Sequence, residues 1–171
     1  VTSNPAIFVK SGDLTVIGGT LDGQLTLGSQ QNIIIANHVR YTCDPENPAN
    51  DSDCINGATG EVEYNDDLLG LVAKKSVVVS QSAPANLTIQ ATVMAVQESF
   101  ELENNTQVPP KGNLHVFGGL VQNSIGITGW FNPSTGQVVN GYIEDYWYDE
   151  RLLNTSPPYY PTTGQYQTLI W

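Results

Sequence analysis

The chain has 171 residues, 40% of them apolar, and seventeen acidic against six basic side chains give a formal net charge of −11. That supports one domain with its own core rather than a disordered chain, and no apolar run approaches the roughly 18 residues a membrane helix needs. Lys10, Arg40, Lys74, Lys75, Lys111 and Arg151 are scattered, which excludes the basic face of a generic nucleic-acid or anionic-membrane binder and leaves only a small local patch at Lys74 and Lys75.

Short β segments run through the chain. They are "LTVIG" at 14–18, "QLTLG" at 24–28, "NIIIA" at 32–36, "SVVVS" at 76–80, "NLTIQ" at 86–90 and "NLHVFG" at 113–118. Alternation in the first two sends Leu14, Val16, Leu25 and Leu27 inward and Thr15 and Thr26 outward. "NIII" and "SVVV" are apolar on both parities, as in strands covered on two sides or strands with a β-branched exterior.

Between 42 and 65 an acidic excursion holds both cysteines, Cys43 and Cys54, in "CDPENPANDSDC". With His38 the only other soft ligand nearby, a disulfide is preferred over a metal site or free thiols, and it points to an exported protein. In the chain-entropy model, closing so short a loop stabilises by roughly 3 kcal/mol. Asp44, Glu46, Asp51 and Asp53 are the carboxylates that would hold calcium there; no other cofactor is expected. The spacing is not that of an EF-hand, and a solvated loop of turn formers explains the same residues.

"DDLLGLVAKK" at 66–75 has an Asp that would cap a helix, but Gly70 and the following β-branched run favour a strand; "ATVMAVQESFELE" at 91–103 is equally ambiguous. A second excursion spans 101–111, and "DYWYDERLL" at 145–153 is the best short-helix candidate. Ten of the fifteen aromatic residues fall in the last 42 positions, beside the proline-rich "SPPYYP".

One repeat is explicit: "GDLTVIGGTL" at 12–21 and "GNLHVFGGLV" at 112–121. Strands of three to six residues that end at glycines fit a β-solenoid, whose corners demand backbone geometry glycine tolerates. The expected fold is therefore all-β: a short β-solenoid (β-helix-like) forming a single domain over 1–171. Residues 1–129 form rungs with the loop at 42–65, and 130–171 form an aromatic, proline-rich cap over the open end. A β-sandwich is the alternative, since "DG" at 22–23 is a hairpin signal.

Enzymatic chemistry finds little support. Asp66–Asp67 and Glu144–Asp145 are adjacent, and neighbours on a strand point to opposite faces, so neither pair naturally converges for glycoside cleavage. Asp66 and Asp67 read better as turn or cap residues. His115 has outward parity between Leu114 and Val116, as for a surface strand residue, and Asp149, Glu150 and Arg151 read as a local ion pair. Trp130, Tyr146, Trp147, Tyr159 and Tyr160 are the residues that would stack on a sugar, set against the alternative that such rings seal the fold.

Taken together, "GDLTVIGG", "NDDLLGLVAKKSVVV", "LTIQATVMAVQESF", "GNLHVFGGLVQNSIGITG" and "GYIEDYWYDERLLNTSPPYYP" resemble a C-terminal domain of bacterial type IV pilus-associated, PilX-type minor pilin proteins, over most of residues 10–171. The resemblance implies a non-enzymatic structural or adhesive module, extracellular or at the cell surface. Its partners would be other pilin subunits or a surface ligand, and its only membrane contact would come through a segment preceding Val1. A start without methionine fits a processed product or excised domain. The alternatives are a carbohydrate-binding or carbohydrate-active β-helix protein, and DNA capture at a pilus tip. The acidity weighs against the last, and the cysteine loop is an insertion relative to the family pattern.

Overall fold

The computed structural model describes residues 5–48, 54, 59 and 66–161. Its fifteen described strands, numbered in chain order, sort into three sheets. The first sheet contains β1 (Ala6–Val9), β4 (Gln24–Ser29), β7 (Leu68–Ala73), β10 (Thr92–Ala95) and β13 (Leu120–Gln122) in that spatial order. The second contains β2 (Leu14–Val16), β5 (Ile33–Ile35), β8 (Val77–Val79) and β11 (Phe100–Leu102). The third contains β3 (Gly19–Leu21), β6 (Val39–Tyr41), β9 (Leu87–Gln90), β12 (Pro110–Gly118), β15 (Val138–Tyr148) and, at its edge, β14 (Gly129–Phe131).

Up to β13, each sheet takes every third strand, and every pairing is parallel except that of β14 with β15. The "DG" at 22–23 closes no hairpin: β3 pairs with β6, while β4 pairs with β1 and β7. Antiparallel hairpins of the sandwich kind are absent among the described strands, apart from β14–β15.

Parity sets the core. Ile33, Ile35, Val77 and Val79 are fully buried, and they pack with Leu71, Ile89, Leu114 and Phe100 between the sheets. Ile34 and Val78 lie outward and half-buried, so the all-apolar runs provide a β-branched exterior. Such residues suit a pleated, half-buried surface. Leu14, Val16, Leu25 and Leu27 pack against the core, as alternation predicts.

Thr26 departs from its expected exposure. It has outward parity but is only 6% exposed, and its hydroxyl donates to the carbonyl of Pro158. The proline-rich segment lies across the outer face of the first sheet, where an end lid was expected. Gly70 makes room for it, because a Cβ there would stand 2.7 Å from the Tyr160 ring and 3.1 Å from Pro157. The aromatic stretch still adds an edge to the third sheet: Tyr142 is fully buried, and its hydroxyl donates to Pro84 at 2.8 Å.

Three expectations resolve in favour of strand. Residues 66–75 contain β7, and 91–103 contain β10 and β11. The predicted helix over 145–153 shrinks to a 3-10 turn at Glu150–Leu153, because Asp145–Tyr148 continue β15 in register with His115–Gly118. No α-helix occurs among the described residues, so no helix there is long and apolar enough to cross a membrane.

The two copies of the sequence repeat join different sheets. "GDLTVIGG" runs from β2 in the second sheet to β3 in the third, whereas "GNLHVFGG" runs from β12 in the third to β13 in the first. The shared letters encode a strand–corner–strand unit used between different pairs of sheets. At both corners a side chain would collide: a Cβ on Gly18 would meet the His38 carbonyl at 2.8 Å, and one on Gly118 the Ala91 carbonyl at 2.0 Å.

Candidate functional site

The outer face of the third sheet gathers most of the chain's distinctive polar chemistry. Parallel register aligns Thr88, His115 and Asp145 in one outward column, and Gln90, Phe117 and Trp147 in the next. Like side chains in such columns recur at the strand spacing of about 4.8 Å. Over them lies the start of the acidic loop, tied by the Cys43–Cys54 disulfide, whose Cα atoms are 4.8 Å apart.

Two polar contacts fasten this loop. Gln90 Nε2 donates to Asp44 Oδ1 at 2.9 Å, and Gln90 Oε1 in turn accepts the backbone N–H of Tyr41 at 2.7 Å. His115 sits between two carboxylates, with Nε2 2.6 Å from Glu46 Oε2 and Nδ1 2.8 Å from Asp145 Oδ2. Burial alone would lower the His115 pKa; hydrogen bonds and charge from Asp145 and Glu46 outweigh it, and the value is raised. The hydrogen bond from His115, with a second from Trp147 Nε1 at 2.7 Å, holds the Asp145 pKa below its usual value. An imidazole donating from both nitrogens is a cationic clamp and has no lone pair for use as a base.

His38 behaves oppositely. Burial, then the neighbouring Arg40 charge, lowers its pKa, and its Nδ1 accepts the Thr88 backbone N–H at 3.1 Å. Arg40 Nη2 lies 3.3 Å from the same nitrogen. Beside the loop, Thr20, Arg40, Thr88 and Gln90 line a groove of about 480 Å3, walled by Asp44 and Glu46 and reaching His115.

Asp67 and Glu144, one from each adjacent acidic pair, bond away from this face. Asp67 is fully buried; its Oδ1 accepts the Gly23 N–H and its Oδ2 the Thr42 N–H at 3.0 Å, so it staples two corners as a cap residue would. Glu144 accepts from the Thr128 hydroxyl on the other side of β15 from Asp145. Lys74 and Lys75 turn the corner between β7 and β8. The 149–151 pair is more than a surface contact: Asp149 is 1% exposed and grips Arg151 through Nε at 2.9 Å and Nη2 at 2.7 Å. Arg151 also lies 5.4 Å above the Tyr41 ring, whose pKa burial pushes up to about 12.

The candidate ligand residues are spread out. Tyr146 remains exposed and meets Phe100 edge-on, with ring centroids 6.2 Å apart. Trp130 lies on β14 and donates to Asn105 Oδ1 at 3.0 Å. Tyr159 and Tyr160 belong to the segment over the first sheet, where burial raises the Tyr160 pKa. Only Trp147 reaches the polar face just described, and it is 60% exposed. Of the four calcium candidates, Asp51 and Asp53 lie outside the described residues, while Asp44 and Glu46 bond Gln90 and His115. Among the described residues no group of three or more His, Cys, Asp or Glu side chains is arranged to hold a metal. Sequence reading missed the pairing of Glu46 with His115, 69 positions apart; the outward parity of His115 was its only trace.

Compared with known proteins, the chain matches no family model, no curated sequence and no solved structure.

Proposed function

We propose that the chain is a short three-sided β-solenoid acting as a non-enzymatic, extracellular structural and adhesive module of a bacterial surface or pilus-associated protein. The observation that carries this reading is the recurrence of every third strand in each of three parallel sheets. Such a coil is rigid, and its outward columns present side chains at fixed spacing. The disulfide supports an oxidising compartment. That Asp67 and Glu144 are held by separate partners also supports the reading.

The test is a turnover screen of the purified protein against soluble polysaccharides, with Glu144→Gln and Asp145→Asn variants alongside. Release of new reducing ends that one variant abolishes overturns the non-enzymatic reading; no release supports it. The pilus component is tested separately on the coding sequence upstream of Val1. A prepilin-type apolar helix supports it, and a complete upstream sequence without one removes it.

A further inference from the structure

We infer that β13, the edge strand of the first sheet at the β14–β15 end of the stack, is a docking edge for a single extended strand of a partner polypeptide, apolar at consecutive positions and flanked by basic residues. This names a partner class for the structural and adhesive reading above and rests on the stacked sheets it describes.

The backbone of β13 is open on one side. Among the described strands it pairs with β10 alone. The Gly119 carbonyl and the Asn123 N–H face β10, so ladder alternation turns the N–H and C=O groups of Leu120 and Gln122 to the open side. The other two sheets are closed at this end. β14 pairs with β15, and residues 122–127 cover β11, with Leu102 N–H donating to the Ile127 carbonyl at 2.9 Å and Phe100 N–H to Gln122 Oε1 at 2.8 Å. The molecule thus closes a sheet end with added chain, and an edge with free ladder groups accepts a strand in the same way.

Apolar clefts flank that edge. On the core side, Val116, Leu120, Tyr146 and Tyr148 line one of about 220 Å3; on the outer side, Met94, Val121, Leu152 and Pro157 line one of about 410 Å3. A strand laid about 4.8 Å beyond β13 points successive side chains into each in turn, so the occupant is apolar at consecutive positions. β14 fills the neighbouring level of the third sheet, which leaves no room for the whole further rung that a second copy stacked end to end would bring. No charged side chain lines either cleft, and Glu144 and Glu150 are exposed within two residues of Tyr146 and Tyr148. With −11 on the chain as a whole, basic flanks are favoured.

The experiment titrates the intact, isotope-labelled protein with the synthetic peptide acetyl-KSVVVSK-amide, whose valines serve both clefts, and follows amide shifts and hydrogen exchange. Saturable shifts centred on Leu120–Gln122 are expected. Exchange of the Leu120 and Gln122 amides should slow roughly tenfold or more, while that of Val121, which faces β10, stays unchanged. Val121→Lys, at a residue 51% exposed, is expected to weaken binding roughly tenfold, and Ile143→Lys, the same charge change at an exposed site on β15, to leave it within about twofold. No shift at β13 with millimolar peptide overturns the site, as does equal binding of acetyl-KSVPVSK-amide or equal weakening by the two lysine variants. Leu120 and Gln122 amides already protected in a peptide-free monomer assign the edge to this chain's own residues, and protection that grows with protein concentration assigns it to a second copy. Either result overturns the partner. All of these outcomes leave the strand order, and with it the structural reading, standing.

Discussion

The outer faces of the first and third sheets are both covered, by opposite means. Over the third sheet, a loop is tied by a disulfide and pinned by polar contacts of Asp44 and Glu46 with Gln90 and His115. Over the first sheet, Pro157, Pro158 and Tyr160 lie flat on Thr26 and Gly70 with one hydroxyl–carbonyl bond. The first covering needs polar side chains beneath it and leaves a groove. The second needs small residues beneath it, Gly70 and Thr26. A pleated surface accepts either, and the outward residue on each strand decides which.

The largest effect should come from the covalent tie. Replacing Cys43 and Cys54 together by alanine is expected to cost about 3 kcal/mol and lower Tm by roughly 6–12 °C in calorimetry, with the proline segment still seated. Next, Gly70→Val places a branched side chain where Tyr160 and Pro157 now sit. A loss of about 2 kcal/mol is expected, with faster proteolysis after residue 154 and unchanged His115 ring signals. His115→Ala should cost about 1 kcal/mol or less, because the side chain is partly exposed, and should speed hydrogen exchange in 43–48 alone.

The clamp is also titratable. His115 has a raised folded pKa, so its contribution is complete below its unfolded value near 6.5 and disappears as pH rises through the folded value. Asp145, with a lowered value, contributes above its unfolded pKa and loses that contribution as pH falls through the folded one. Ring chemical shifts of His115 followed from pH 5 to 9 check this, with exchange in 43–48 rising at the alkaline end and exchange at Thr26 unchanged. The smallest effect is the coupling between the two coverings. Gly70→Val and His115→Ala should add within about 0.5 kcal/mol, and a larger departure would show that the coverings communicate.

Much of this frame was legible in the sequence. Runs such as "NIII" and "SVVV" located strands because β-branched residues at both parities suit little else at that length. The disulfide was legible from two cysteines with few competing ligands. The extension of β15 through "DYWY" was not, since so short a stretch reads as helix until its neighbour β12 supplies a register. The burial of Thr26 and the joining of Glu46 to His115 depend on which segment folds back over which face, and no local pattern encodes that.

The most direct measurement is the pattern of cross-strand proton contacts along the second sheet in a labelled solution sample. The account predicts parallel-type contacts linking Thr15 to Ile34, Ile34 to Val78 and Val78 to Glu101 in one unbroken series. Close Hα–Hα contacts of the antiparallel kind between chain-consecutive strands, such as β3 with β4 across Asp22–Gly23, would contradict it.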